Sequence, residues 1–161
     1  MTEFYAQPYS LDHTGFYFNS IESFEAGMKS LNSKGCEEVE IQTIEGDEHM
    51  VRLADAASIH QCDVHRWYEE LEDLDETAAT QIIFLLDLGY RSSEVMERYE
   101  DVSLFEGTAS DYAYDIINET TEIPECLRYY IDYDAIARDM KINGEIAEIE
   151  RELVVINAHE F

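Results

Sequence analysis

Carboxylates recur at a spacing of four residues in Glu69/Asp73, Glu97/Asp101, Asp111/Asp115 and Asp115/Glu119. On a helix this spacing stacks both acids on one face, about 6 Å apart along the axis, and three kinds of chemistry use acids so placed. A pair flanking a glycosidic bond can serve as acid and base, but nothing among 37 acids distinguishes one such pair. A calcium loop needs a central glycine and a closing glutamate, and Asp73-Leu-Asp75-Glu76 has neither. The third use is a negative surface offered to a cationic partner. Each like-charged neighbour costs a helix roughly 0.2–0.5 kcal/mol, and only acids in a first turn are excused by the helix dipole. Asp73, Asp115 and Glu119 have no such excuse. A solvated face ordinarily mixes signs, whereas bases are nearly absent here. The expected acidic surface comprises Glu69, Glu70, Asp73, Asp87, Glu94, Glu97, Glu100, Asp101, Asp111, Asp115 and Glu119.

Other constellations carry less. His60-Gln-Cys62-Asp-Val-His65 holds three possible metal ligands with no second cluster to complete a site; a helix start with a buried Cys62 explains it better. There is no phosphate-binding glycine loop, no GxSxG and no HExxH. The expectation is no catalytic residue, no metal and no cofactor. Leu127-Arg-Tyr129-Tyr130-Ile-Asp-Tyr133-Asp134 is the second outlier. Tyrosine offers apolar area with a polar handle, so the stretch suits either an interface or a corner of the core, and one corner can serve both.

Composition narrows the partners. The net charge is −27 and the pI is near 4.1, yet 12% of the residues are aromatic, which disordered acidic tails lack. Such a chain cannot displace counterions from phosphate backbones and is repelled by anionic membranes; neither nucleic acid nor membrane is an expected partner. Scaled against duplex DNA, 27 charges correspond to about 45 Å of helix axis. Three cysteines (Cys36, Cys62, Cys126) without a CxxC favour a reducing compartment. The longest strongly apolar run, Ile82–Leu86, is too short to span a bilayer, and the N-terminal residues do not read as a signal peptide. The expected location is the cytoplasm.

The elements that must position these groups read as an α+β fold in three small parts, elongated, with short antiparallel sheets. Residues 1–61 form an α+β unit. Phe4-Tyr5-Ala6 and Gly15–Phe18 are extended, Ser20 or Ser23 caps a helix carrying Phe24, Met28 and Leu31, and Val39, Ile41 and Thr43 alternate as a strand. A helix over 48–57 follows. Residues 62–102 read as wholly helical: Asp63 opens a helix burying Val64, Trp67, Tyr68 and Leu71. Asp75 caps one whose stripe is Ala78, Ile82, Leu85, Leu86 and Gly89, and a third starts near Ser92. Residues 103–161 return to α+β. Thr108–Asp111 resembles a capping box opening a helix that buries Tyr112, Ile116 and Ile117. Pro124 fits the first turn of another, Asp132 caps a third, and 145–150 with 152–158 close as a hairpin. The middle is the most acidic: residues 61–120 hold 16 acids and 3 bases, against 10 and 4 in residues 121–161.

Ile123-Pro124-Glu-Cys-Leu127-Arg-Tyr-Tyr130-Ile-Asp132-Tyr133-Asp-Ala135-Ile-Ala137-Arg138-Asp139-Met140, followed by Gly144 and a closing strand pair, resembles the C-terminal segment of the ArdA antirestriction family. Trp67-Tyr-Glu-Glu-Leu-Glu-Asp-Leu and the helices to Tyr99 are similar in pattern. The N-terminal 60 residues match only loosely: Asp12-His13-Thr14-Gly15 stands where the family has Tyr-Asn-x-Gly. The resemblance implies a curved, three-part, homodimeric DNA mimic made by mobile elements, occupying the DNA groove of type I restriction–modification enzymes, on their specificity and methyltransferase subunits. Composition alone says only that the partner is basic. A mimic aimed at another nucleic-acid-binding machine, such as a CRISPR effector, belongs to the same class. An acidic, halophile-like enzyme scaffold is the competing class. The dimer is expected through residues 121–161, the least repulsive part. That part holds Arg128, Arg138, Lys141 and Arg151, with Tyr129, Tyr130 and Tyr133 as contact residues.

Overall fold

The computed structural model describes residues 1–150 and 152–161; Arg151, one of the bases expected near the dimer contact, lies outside the described residues. The chain is α+β, with two three-stranded antiparallel sheets, and it divides into two compact units, Met1–Met96 and Glu97–Phe161.

In the first unit β1 (Glu3–Pro8) lies between β2 (Phe16–Phe18) and β3 (Val39–Glu45). Strict alternation along β1 buries Phe4, Ala6 and Pro8 and leaves the intervening residues half-covered, as expected of a strand with one packed face. Helix α1 (Ile21–Asn32) starts at Ser20, whose Oγ accepts from the Ser23 N–H at 3.2 Å in a capping box, and it buries Phe24, Met28 and Leu31. Its Gly27 is forced by contact. A Cβ there would stand 2.2 Å from the Phe16 ring, so only glycine lets β2 lie this close. Helix α2 (Glu48–Ala57) buries Met50, Leu53 and Ala54.

The segment expected to be one helix from Asp63 changes type twice: a 3-10 turn (Gln61–Asp63), a single α turn α3 (Val64–Arg66), and a π turn over Trp67–Leu71. The Glu72 N–H reaches the Trp67 carbonyl, five residues back, at 2.9 Å. Val64, Trp67 and Leu71 are buried and Tyr68 half-buried, so the periodicity found the inner residues and missed the wider winding. Phe4, Phe18, Trp67 and Tyr68 stack edge and face around one centre, with ring centroids 5.4–6.5 Å apart. The end of β1 is tied to the π turn: the Thr2 N–H donates to Glu72 Oε1 (2.9 Å) and the Tyr68 hydroxyl to the Thr2 carbonyl (3.5 Å). The first and second of the three expected parts therefore share a core.

Helix α4 (Glu76–Asp87) is capped by Asp75, whose Oδ1 accepts from the Ala78 N–H at 2.8 Å. Its covered surface is wider than the predicted stripe. Ala79, Thr80, Ile82, Ile83, Phe84 and Leu85 are buried, whereas Ala78 and Leu86 are half-buried and Gly89 is exposed. A helix apolar on most sides belongs inside its unit. Helix α5 (Ser92–Arg98) buries Val95 and gives way to a 3-10 turn at Tyr99–Asp101.

In the second unit the sheet order is β4 (Leu104–Glu106), β6 (Leu153–Val155), β5 (Ala147–Glu150). Two helices pack together on it, α6 (Ala109–Thr120) and α7 (Tyr133–Ile142). Small residues sit at their contact: Ala109, Ala113 and Ala137 are buried with Ile146 and Val154. Tyr112, Ile116 and Ile117, expected as the buried stripe of α6, are only half-buried, because alanines hold the innermost positions. The capping box of α6 is present, with the Asp111 N–H donating to Thr108 Oγ1 at 3.1 Å and the Thr108 N–H to Asp111 Oδ2 at 2.9 Å. Pro124 does not open an α-helix; it begins a turn continued by a 3-10 turn at Arg128–Tyr130. No sequence signal marked β4, which is three residues long and pairs with β6, a strand about fifty residues later.

Candidate acidic interaction surface

All eleven acids of the expected surface are exposed. Exposure does not single them out, however. Glu3, Asp63 and Glu72 are half-buried and every other carboxylate of the chain is exposed, so the acidic surface is wider than the count by thirds suggested. Glu37, Glu38 and Glu40 before and within β3, and Asp132, Asp134 and Asp139 around α7, belong to it as well.

The spacing expectation holds in part. Asp111, Asp115 and Glu119 lie on α6 opposite Ala109 and Ala113, a row of three acids on one helical face. Glu69 lies in the π turn and Asp73 beyond its end, so this pair does not share an α-helical face. The Glu97/Asp101 pair is likewise broken, because the winding changes at Arg98 (φ −128°) from α to 3-10. Glu69, Glu70, Asp73, Asp87 and Glu94 belong to the first unit; Glu97, Glu100, Asp101, Asp111, Asp115 and Glu119 belong to the second.

Several of these acids have local work. Glu70 Oε2 accepts from Arg66 Nε at 2.8 Å, and Arg66 also donates to the Ser92 carbonyl. Glu94 Oε2 accepts from the Arg91 N–H (3.1 Å) at the start of α5, and Glu100 accepts from the Tyr99 hydroxyl (3.3 Å). Hydrogen bonds from the Thr108 side chain and then its backbone hold the Asp111 carboxyl below its ordinary value. Tyr68 is shifted the other way: burial, and secondarily the Glu72 carboxylate, raise its hydroxyl well above the usual tyrosine value.

A groove of about 720 Å³ lies between α1 and the 60–65 turn; Phe24, Met28 and Val39 line it with His60, Cys62 and His65, and none of the eleven acids lines it. His65 Nε2 faces Glu25 Oε1 at 3.5 Å. Cys62 is exposed rather than buried, Cys126 is exposed, and Cys36 is buried. Among the described residues no three His, Cys, Asp or Glu side chains converge as a metal site, and no helix is long and apolar enough to cross a membrane.

The tyrosine stretch divides. Tyr129 and Tyr130, on the 3-10 turn, are 91% and 83% exposed, and the neighbouring Leu127 is 52% exposed. Tyr133 is half-buried, its ring edge-on to Tyr114 at 5.1 Å and its hydroxyl 3.4 Å from Asn118 Nδ2. Tyr133 thus fixes α7 to α6, while Tyr129 and Tyr130 face outward.

A family model described as antirestriction protein (ArdA) matches residues 10–155. The chain belongs to the ArdA family of antirestriction proteins. A comparison with curated proteins found no match. The ArdA match reaches well upstream of the C-terminal segment that first resembled the family and takes in β2 and β3 of the N-terminal sheet, though not β1. In this ArdA protein the Tyr-Tyr-Ile-Asp-Tyr segment is the turn into α7: Asp132 Oδ1 caps the helix by accepting from the Ala135 N–H at 2.9 Å. Sequence reasoning passed over Tyr114 and Ile142, which are 52% and 74% exposed and enlarge the apolar surface of the second unit. Helical periodicity does carry that signal, since both sit away from the buried alanines.

Proposed function

We propose that this ArdA protein is a non-catalytic DNA mimic that occupies the DNA groove of type I restriction–modification enzymes, at their specificity and methyltransferase subunits. Membership of an antirestriction family supports the class of target, and the observation that carries the mechanism is the outward placement of the carboxylates. Of 37 acids, only Glu3, Asp63 and Glu72 are even half-covered. A groove that normally releases counterions from phosphates gains the same way from carboxylates, so affinity falls as salt rises. The protein acts in the cytoplasm, where it meets these enzymes, and binds no nucleic acid itself. The three-part division into residues 1–61, 62–102 and 103–161 belongs to this reading, as does a twofold dimer joined through Tyr129, Tyr130 and Tyr133. A fluorescent duplex carrying the recognition site, bound to a type I methyltransferase, tests it. The protein should displace the duplex stoichiometrically at low salt and less well at high salt. Inhibition that leaves the duplex bound would refute mimicry, and inhibition insensitive to salt would refute its electrostatic basis.

A further inference from the structure

The order β2-β1-β3 leaves β3 at the rim of its sheet, and three hydrogen bonds fix which way its peptide groups point. The Tyr9 N–H donates to the Glu38 carbonyl (3.5 Å), so that carbonyl faces β1. The Val39 N–H donates to Gln61 Oε1 and Gln61 Nε2 donates to the Glu37 carbonyl, both at 3.0 Å, so these groups face away. Backbone groups alternate in an antiparallel ladder, and the register is regular from Pro8↔Val39 to Phe4↔Thr43. Ile41 and Thr43 therefore turn their N–H and C=O groups outward as well. Gln61 closes the first rung as a neighbouring peptide group would, and the next two rungs face a groove of about 330 Å³ between β3 and the end of α2. Ala54 and Ile59 are its buried walls, Asp55 and Glu40 its exposed acids.

We propose that this rim binds an extended, positively charged segment of a partner protein as an added strand. Main-chain bonds to Ile41 and Thr43 supply affinity, and the groove takes alternate side chains. The sign of the charge selects the occupant. Glu37, Glu38, Glu40 and Glu45 lie along the strand and its approach, with Asp55 across the groove, all exposed. A second copy of β3 would bring Glu40 and Glu45 against their own kind, which is unfavourable in cross-strand pairing. Lysines alternating with apolar residues meet the opposite sign and an apolar wall. None of the eleven acids expected from the sequence takes part; Glu37, Glu38 and Glu40 belong to the wider acidic surface, and the peptide test reads β3 directly, whatever the outcome with a restriction enzyme.

The test is amide exchange and chemical-shift mapping on the whole isotopically labelled chain, titrated with a short peptide alternating Lys and Val. In the free protein Ile41 and Thr43 should exchange quickly while Glu40 and Gln42 are protected. Adding the peptide should slow exchange at Ile41 and Thr43 and shift signals along β3 and the end of α2. Asp55→Lys should weaken binding by about two- to fivefold, the range for an exposed charge pair. Thr43→Pro removes an outward N–H without a ladder bond and should weaken it further; if that variant fails to fold, Asp55→Lys carries the comparison. Protection of Ile41 and Thr43 in the free protein, from within the chain or from a second copy, would overturn the proposal. So would equal binding of the same peptide with Glu in place of Lys, or shifts confined to another surface.

Discussion

Single carboxylates of this protein sit in water with few neighbours, and the residues whose protonation matters to the fold are elsewhere. Tyr68 is the clearest. Burial and Glu72 raise its pKa above that of the unfolded chain, near 10, so the native state keeps the proton while the unfolded state loses it. The associated stability is complete below pH 10 and is lost as pH rises above it. Tyr68→Phe keeps the ring against Phe4 and Phe18 and gives up only a 3.5 Å contact to the Thr2 carbonyl. Urea unfolding at pH 8 should therefore differ by less than about 1 kcal/mol from the parent, while the decline between pH 9 and 11 becomes shallower. An unchanged alkaline decline would remove Tyr68 from the account. Asp111 has the opposite sign: its lowered pKa favours the fold above the usual carboxylate range and ceases to do so as pH falls through its native value.

Elements tell where local rules were enough. Caps were legible, because Ser20, Asp75, Thr108 and Asp132 each sit in front of an apolar period and each accepts from the expected N–H. Winding was not. The π turn at Trp67–Leu71 preserves the buried identity of Val64, Trp67 and Leu71, and periodicity counts buried residues rather than hydrogen bonds. The strand β4 was illegible because its partner β6 lies far along the chain, and Pro124 misled because a helix first turn and a 3-10 turn share the φ that proline imposes. For the candidate surface, outward placement was readable from residue type, but the break in Glu69/Asp73 and Glu97/Asp101 followed from those same changes of winding. A tertiary contact outweighs propensity at one place in α1. Alanine is better than glycine in a helix by about 1 kcal/mol, and exposed Ala26→Gly should cost roughly that. Gly27→Ala should also destabilise, by about 1–2 kcal/mol net, because overpacking against the Phe16 ring exceeds the propensity gain. Chemical denaturation of the two variants decides it; a stabilised Gly27→Ala would mean that β2 yields.

At the scale of the whole molecule, charge sets behaviour. Because the proposed contacts are many and individually weak, replacing Asp111, Asp115 and Glu119 together with Glu97 by their amides should reduce displacement of duplex DNA clearly, while each single change does so slightly. One carboxylate that abolished inhibition alone would point to a hot spot instead. Changing only Glu97, Asp115 and Glu119, and so sparing the Asp111 capping box, should raise the melting temperature at low salt, since self-repulsion is relieved. A fold lost altogether at low salt would favour a halophile-like scaffold. Assembly gives a separate check. Tyr129→Ala with Tyr130→Ala removes exposed area without touching the Tyr133–Tyr114 contact, and should shift sedimentation toward monomer more at low salt than at high. A parent protein that is monomeric at micromolar concentration would refute the proposed dimer.

The cysteines have a practical consequence. Cys62 is exposed in the first unit, Cys126 is exposed in the second, and Cys36 is buried. A maleimide dye should attach at the two exposed thiols and spare the third without any engineering. The native chain thus carries one attachment point on each unit. Energy transfer between a donor and an acceptor placed there would report the separation of the units in solution, and whether it changes when a restriction enzyme is added.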